Sequence, residues 1–291
     1  MKQNFGDSGT VTSDIYITYQ MGNTMNNNVI LDVTDLHIEF HDHDKPETVV
    51  EDFDLMLEAG EIVGIVGESG SGKSMSALAI AGLLKRHALT KKGKIMFDGT
   101  DLLTCDRKTL RSYQGDEISM IFQEPMTSLN PVKKIGWQVE ESLRIHHKEM
   151  DKAERKRRAL KMLEAVGLND LERPYDKYPH QLSGGQRQRV MIAAAMIAEP
   201  RILIADEPTT ALDVTIQAQI VELLRKMNRE KGTAIIFISH DLSLIRQICS
   251  RVIVMQNGNI VETGNVEEIF KRPSMNYTRK LIAAIPQIDL D

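Results

Sequence analysis

The stretch from Ile62 to Ser74 restricts this chain more than any other. Ile62-Val63-Gly64-Ile65-Val66 carries no polar side chain and runs straight into Gly67-Glu68-Ser69-Gly70-Ser71-Gly72-Lys73-Ser74, after which Met75 to Leu84 reads as a helix. A strand without polar alternation has to be covered on both faces, which calls for a parallel sheet clad in helices. The glycines let consecutive backbone N–H groups turn inward, and the helix N-terminus adds its partial positive charge. Strand, glycine loop and helix in this order are the context the phosphate-loop motif needs, with Lys73 reaching the β- and γ-phosphates and Ser74 ligating Mg²⁺. The bare spacing arises by chance in roughly one chain of this length per hundred, and its placement lowers that further. Nucleotide binding is therefore expected.

Ile118 to Phe122, Ile202 to Ala205 and Ala234 to Ile238 repeat the short apolar type. The expected fold is α/β, a P-loop NTPase with a mostly parallel core sheet. Val252 to Met255, Asn257-Gly258 and Ile260-Val261 read as a hairpin with a type I′ turn, which puts antiparallel pieces at the margin. Between Gln123 and Gln181 helical signals replace strand signals. Asp151 with Glu154 resembles a capping box, Ala159, Met162, Leu163 and Val166 share a face, and Gly167 supplies a stop. A helical subdomain inserted over 124–185 is expected, with the basic run Arg155 to Arg158 on a solvated face.

Composition removes several classes. With 36 Lys+Arg against 41 Asp+Glu, the net charge is -5, and nucleic acid is not the expected main partner. Cys105 and Cys249 cannot build a disulfide framework or a four-ligand metal site. The longest apolar stretches, Met75 to Leu84 and Val190 to Ala198, fall short of the roughly 18 to 20 residues that cross a bilayer. Met1 to Asn28 is polar and without a signal pattern, and reads as a disordered lead-in in which Met21 and Met25 are alternative starts.

Ile202 to Ala205 ends in Asp206-Glu207. Beside a phosphate loop, Asp206 suits the water shell of Mg²⁺, and Glu207 suits the orientation or deprotonation of an attacking water. Leu182-Ser183-Gly184-Gly185-Gln186 then opens the apolar helix Arg189 to Ala198, a second helix N-terminus with exposed amides. One site has no room for both devices. The economical reading is that this loop closes over the nucleotide of a neighbouring subunit, so that ATP is sandwiched at a dimer interface.

At these residues the chain resembles the ATP-binding subunit of ATP-binding cassette (ABC) transporters, from about Ile30 to Gly264. Six motifs occur in the family's order: the phosphate loop, Gln123, Leu182 to Gln186, Asp206-Glu207, Ala211-Leu212-Asp213, and His240 within Ile238 to Asp241. The resemblance implies Mg²⁺-dependent ATP hydrolysis with Glu207 as base and His240 as γ-phosphate sensor. It further implies Gln123 as Mg²⁺ or water ligand and lever to the membrane partner, and Ser74 and Asp206 as the other metal ligands. Gly67 to Met75 would hold the nucleotide, Phe40 would stack on adenine, and Ser183, Gly184, Gly185, Gln186 and Asp213 would reach the partner's nucleotide. The domain limits expected are 29–265 for the cassette and 266–291 for a short C-terminal segment.

Gln123 to Pro131 and Pro208 to Ile220 look like the importer branch for peptides, nickel and metal chelates. That likeness implies two membrane permeases, a second cassette ATPase in a heterodimer (a homodimer being the alternative), a solute-binding protein acting indirectly, and a peripheral place on the cytoplasmic face of the membrane. Two departures stand out: the chain stops at Asp291 with no cysteine after Cys249, so no cluster-bearing tail is expected, and Arg272 to Thr278 replaces a usual Arg-Pro-x-His-Pro-Tyr-Thr with Arg-Pro-Ser-Met-Asn-Tyr-Thr. The short tail keeps nickel or a chelate open as cargo. A soluble ABC clamp on nucleic acid or ribosomes is the rival from another class, but it usually carries two cassettes or a long coiled coil. A non-hydrolysing regulatory subunit is opposed by Glu207 and His240.

Overall fold

The computed structural model describes residues 28–41, 46–84, 89–123, 128–168, 174–210 and 212–285. Outside the described residues lie 1–27 of the lead-in, 42–45, 85–88, residues 124–127 of the string after Gln123, 169–173, Ala211, and 286–291.

Two sheets organise the chain. The first is four-stranded and antiparallel, in the order β2-β1-β4-β5, with β1 at Val29–Phe40, β2 at Glu47–Glu58, β4 at Leu89–Phe97 and β5 at Thr100–Asp101. The second is six-stranded, in the order β10-β9-β3-β8-β7-β6. It contains β3 (Ile62–Val66), β6 (Ile118–Ile121), β7 (Ile202–Asp206), β8 (Ala234–Ile238), β9 (Arg251–Gln256) and β10 (Asn259–Asn265). Pairing from β9 through β3, β8 and β7 to β6 is parallel, and β10 closes the edge antiparallel to β9.

The apolar runs explain this sheet. Every residue of β3, β7 and β8 is buried, and successive side chains point to opposite faces. Ile62, Val66, Leu203, Ala205, Ile235 and Phe237 fall into one core cluster, while Val63, Ile65, Ile202, Ile204, Ile236 and Ile238 fall into another. The second cluster is completed by the antiparallel sheet and by α1 (Lys73–Ile80). Each such Ile, Leu or Phe contributes about 1.5–3 kcal/mol relative to exposure, so the sheet holds its polar loops on a stiff base.

Between α2 (Arg107–Tyr113), β6 and β7, the described residues after Ile121 are helical or irregular: α3 (Ile135–Val139), α4 (Glu141–His146), α5 (Lys152–Ala165), two 3-10 turns, and α6 (Gly184–Met196). Asp151 caps α5 by accepting the Glu154 N–H at 2.8 Å, and Ala159, Leu163 and Val166 are buried together. The basic run does not lie on one solvated face. Arg157 and Arg158 share the Glu154 carboxylate at the surface, but Arg155 turns inward beside Glu140, with its Nε 3.9 Å from that carboxylate, and donates to the Met150 carbonyl.

The hairpin forms at the edge of the sheet, as expected. Its turn is right, with φ 49° at Asn257 and 83° at Gly258, as type I′ requires. β10 is the antiparallel edge, while β9 joins the parallel set through β3, and Val252 to Met255 are buried. The remaining helices are α7 (Val214–Lys231), α8 (Leu242–Ile248), α9 (Val266–Lys271) and α10 (Asn276–Ala283).

Candidate nucleotide-binding site

The loop between β3 and α1 is built against its own chain. A Cβ at Gly67 would stand 2.1 Å from the Met255 carbonyl oxygen, and one at Gly72, where φ is 99°, would stand 2.7 Å from that of Val49. No other residue fits there. The hairpin tip holds the loop from the same side: Gly258 N–H donates to the Ser71 carbonyl at 3.2 Å, and the Gly258 carbonyl accepts the Glu51 N–H at 2.9 Å. Glu68, Ser69 and Gly70 remain exposed.

Lys73 opens α1 and is almost fully buried. Its ammonium donates to the Gly67 carbonyl at 2.9 Å, the Glu68 carbonyl at 2.7 Å and Ser71 Oγ at 3.2 Å, which matches three donors to three acceptors. Burial pulls its pKa below the ordinary lysine value, while Glu207, Asp206 and Glu68 pull it back up. Ser74 donates to Asp206 Oδ1 at 3.2 Å.

Parallel pairing of β7 with β8 puts Asp206 and Glu207 at the end of the sheet where the loop lies. Asp206 is buried, and burial raises its pKa; the Ser74 hydrogen bond and Lys73 oppose the rise. Glu207 has φ 47°, a left-handed backbone rare in residues other than glycine, secured by its N–H to the Ile238 carbonyl at 2.9 Å. Three side chains converge on its carboxylate. Gln123 donates to Oε2 at 3.1 Å, Thr210 donates to Oε2 at 2.9 Å, and His240 Nδ1 stands 3.2 Å from Oε1. Gln123 and His240 are exposed, whereas Glu207 is half-buried.

The donor set suits Mg²⁺. Asp206 is a buried carboxylate whose charge is disfavoured without a cation, and Ser74 Oγ already lies on it. Serine and aspartate oxygens form the hard, all-oxygen surroundings that this ion takes alongside phosphates. Gln123 is turned to Glu207. Among the described residues no group of three or more His, Cys, Asp or Glu forms a metal cluster of its own.

The other expected residues lie apart from this cluster. Ser183 caps α6, and a full capping box forms: Ser183 Oγ accepts the Gln186 N–H at 3.3 Å, and Gln186 Oε1 accepts the Ser183 N–H at 3.0 Å. Ser183 and Gly184 are exposed. Asp213 caps α7 by accepting the Ile216 N–H at 2.9 Å. Phe40 is half-buried at the end of β1, opposite Glu47 and Leu89 in the antiparallel sheet. Sequence reasoning missed Thr210, though it sits in the quoted Pro208 to Ile220 string, and it missed Gly258, visible only as a turn glycine.

Comparison with known proteins gives this geometry a family. The model described as "ABC transporter" matches residues 50–210, which holds the glycine loop, the capping-box loop and the two carboxylates. The dipeptide transport ATP-binding protein DppD of Haemophilus influenzae is 48% identical over 258 residues, covering 89% of this chain and 78% of that one. This chain belongs to the ABC transporter family. The peptidoglycan transport ATP-binding protein YejF of Agrobacterium fabrum is 49% identical over 90% of the chain, which spans only 48% of that longer protein. A dimeric cassette, MJ0796, solved in a post-hydrolysis state with ADP and Pi, superposes with a TM-score of 0.74 at 31% identity, over 81% of this chain and 98% of that one. The chain is accordingly an ATP-binding, ATP-hydrolysing cassette. No described helix of this ABC cassette is long and apolar enough to cross a membrane.

Proposed function

We propose that this cassette is the ATP-hydrolysing subunit of a binding-protein-dependent importer of peptides, peripheral on the cytoplasmic side of the membrane. It would work beneath two membrane permeases and beside a second cassette, with an extracytoplasmic solute-binding protein delivering cargo. The name of the H. influenzae relative supports peptide cargo; nickel or a chelate, also expected from the sequence, has no such support.

The observation that carries the hydrolytic reading is the carboxylate of Glu207, fixed by Gln123, Thr210 and His240 within 3.2 Å on a constrained backbone. A base so held meets its water without searching, and positioning with charge stabilisation is most of what phosphoryl transfer requires. Lys73 and the loop N–H groups would take the phosphate oxygens, competing with the three acceptors Lys73 now uses. Mg²⁺ held by Ser74 and Asp206, with Gln123, would supply neutralisation of phosphate charge. His240 would sense the γ-phosphate, and Phe40 would lie under adenine. Ser183, Gly184, Gly185, Gln186 and Asp213 would serve the partner's nucleotide.

Glu207→Gln should lower ATP turnover about a thousandfold or more while ATP affinity changes less than about threefold. Near-normal hydrolysis would remove Glu207 from the role of base. For the importer, the tagged chain is purified from gently solubilised membranes of its host. Two multi-spanning proteins and a second cassette are expected, and recovery with ribosomal or DNA-associated proteins would support the soluble clamp instead.

A further inference from the structure

Tyr277 lies in the first turn of α10, and its hydroxyl oxygen accepts the backbone N–H of Glu68 at 3.0 Å, across 209 residues of sequence. Glu68 is the second residue of the glycine loop, and its carbonyl accepts Lys73 Nζ at 2.7 Å. Residue 68 is thus held on one side by the C-terminal segment and on the other by the phosphate-binding lysine.

The segment that delivers Tyr277 is itself secured. On β10, Glu262 accepts the backbone N–H of Ser274 at 2.7 Å and of Met275 at 3.2 Å. Arg279 bonds the carbonyls of Pro273 and Ser274, both at 3.0 Å. Thr278 is 2% exposed and lines a small apolar cavity with Leu242, Ile269, Ile282 and Val66, the last residue before the loop. The strap therefore meets the loop through Tyr277 on Glu68, while Thr278 shares a cavity with the strand that leads into it. Burial pushes the Tyr277 phenol above its ordinary value, so the hydroxyl stays neutral.

We propose that Tyr277 is a positioning residue for the nucleotide site: its hydroxyl fixes the entry of the phosphate loop, and the turn and helix at 272–283 act as a strap that sets nucleotide affinity. This rests on the nucleotide-binding reading of the loop. A loop containing Gly67, Gly70 and Gly72 would lose much conformational freedom on closing around phosphate. A loop ordered beforehand binds without that cost. Tyr277 is suited to this task because it grips the Gly67–Glu68 peptide, whose carbonyl accepts the lysine, from the side of the Glu68 N–H.

The test is Tyr277→Phe in the full chain, which removes one oxygen and keeps the ring. Backbone amide exchange at Glu68 should accelerate about fivefold or more. The Kd for ATP with Mg²⁺ should rise about fivefold, the factor carried by one ordinary hydrogen bond, while kcat at saturating ATP stays within about twofold. Glu262→Ala, which loosens the strap and keeps the hydroxyl, should move Kd in the same direction by less. Unchanged exchange at Glu68 overturns the proposal, as does unchanged ATP affinity in a Tyr277→Phe chain whose wild type binds ATP normally. A fall in thermal stability across the whole protein in proportion to the Kd shift would make the role merely structural and also overturn it. A wild-type chain that bound no ATP would instead overturn the nucleotide reading, and the affinity claim with it, while Glu68 exchange still reported on the tether.

Discussion

Two glycine-bearing loops open helices in this molecule, and their surroundings differ. At the phosphate loop, the chain itself demands glycine: a Cβ at residue 67 would meet the Met255 carbonyl at 2.1 Å, and Gly72 has a left-handed backbone. At the capping-box loop, a Cβ at Gly184 would meet nothing within 4 Å, and one at Gly185 would meet only the end of Leu212 at 3.3 Å. The first loop is finished within one chain. The second is exposed, and its own chain gives no steric reason for Gly184. That contrast is what a sandwich predicts, since close approach by a partner's nucleotide supplies a reason a single chain lacks.

Gly67→Ala should destabilise the isolated chain by about 3 kcal/mol, since neither the Met255 backbone nor the loop can give way; denaturant unfolding that showed no shift would mean the loop is slack. Ser183→Arg should leave ATP affinity of the dilute single chain within about twofold and cut turnover of the assembled pair about 30-fold. Equal loss in both assays would place Ser183 on its own chain's nucleotide. Asp213→Ala removes the cap of α7 and should lower stability by about 1 kcal/mol, read as a lower denaturant midpoint. Gly184→Ala should move stability by no more than about 0.5 kcal/mol and yet slow hydrolysis by the pair. If the unfolding midpoint fell as far as for Gly67→Ala, the asymmetry between the loops would be lost.

How far the sequence could be read depends on how local each signal was. Ile62 to Ser74 was readable because strand, loop and helix are contiguous, and the all-apolar character of β3, β7 and β8 announced burial on both faces. The Asp151 and Ser183 caps were readable for the same reason, as both close over three residues. Arg155 was misread within its run because charge alone does not say which of four basic side chains finds a buried acid. The place of β9 inside the sheet was not legible because a hairpin pattern fixes pairing with β10 and is silent about β3 on its other edge. Tyr277 was visible in the 272–278 segment, but a departure from a motif does not say what its remaining tyrosine touches.

By itself, the sequence determined the repeated buried strands, the phosphate loop at the end of one of them, and the order of motifs that marks an ABC cassette. The strands and the loop follow from short-range chemistry, namely apolar runs and glycine spacing, while the motif order marks the family by resemblance. Only the tertiary structure decided that Glu207 is gripped by Gln123, Thr210 and His240, that the hairpin tip braces Ser71, and that Tyr277 reaches Glu68. Parallel strands ordered β9-β3-β8-β7-β6 bring their C-terminal ends together whatever their distance along the chain, and no local pattern encodes which loops then meet.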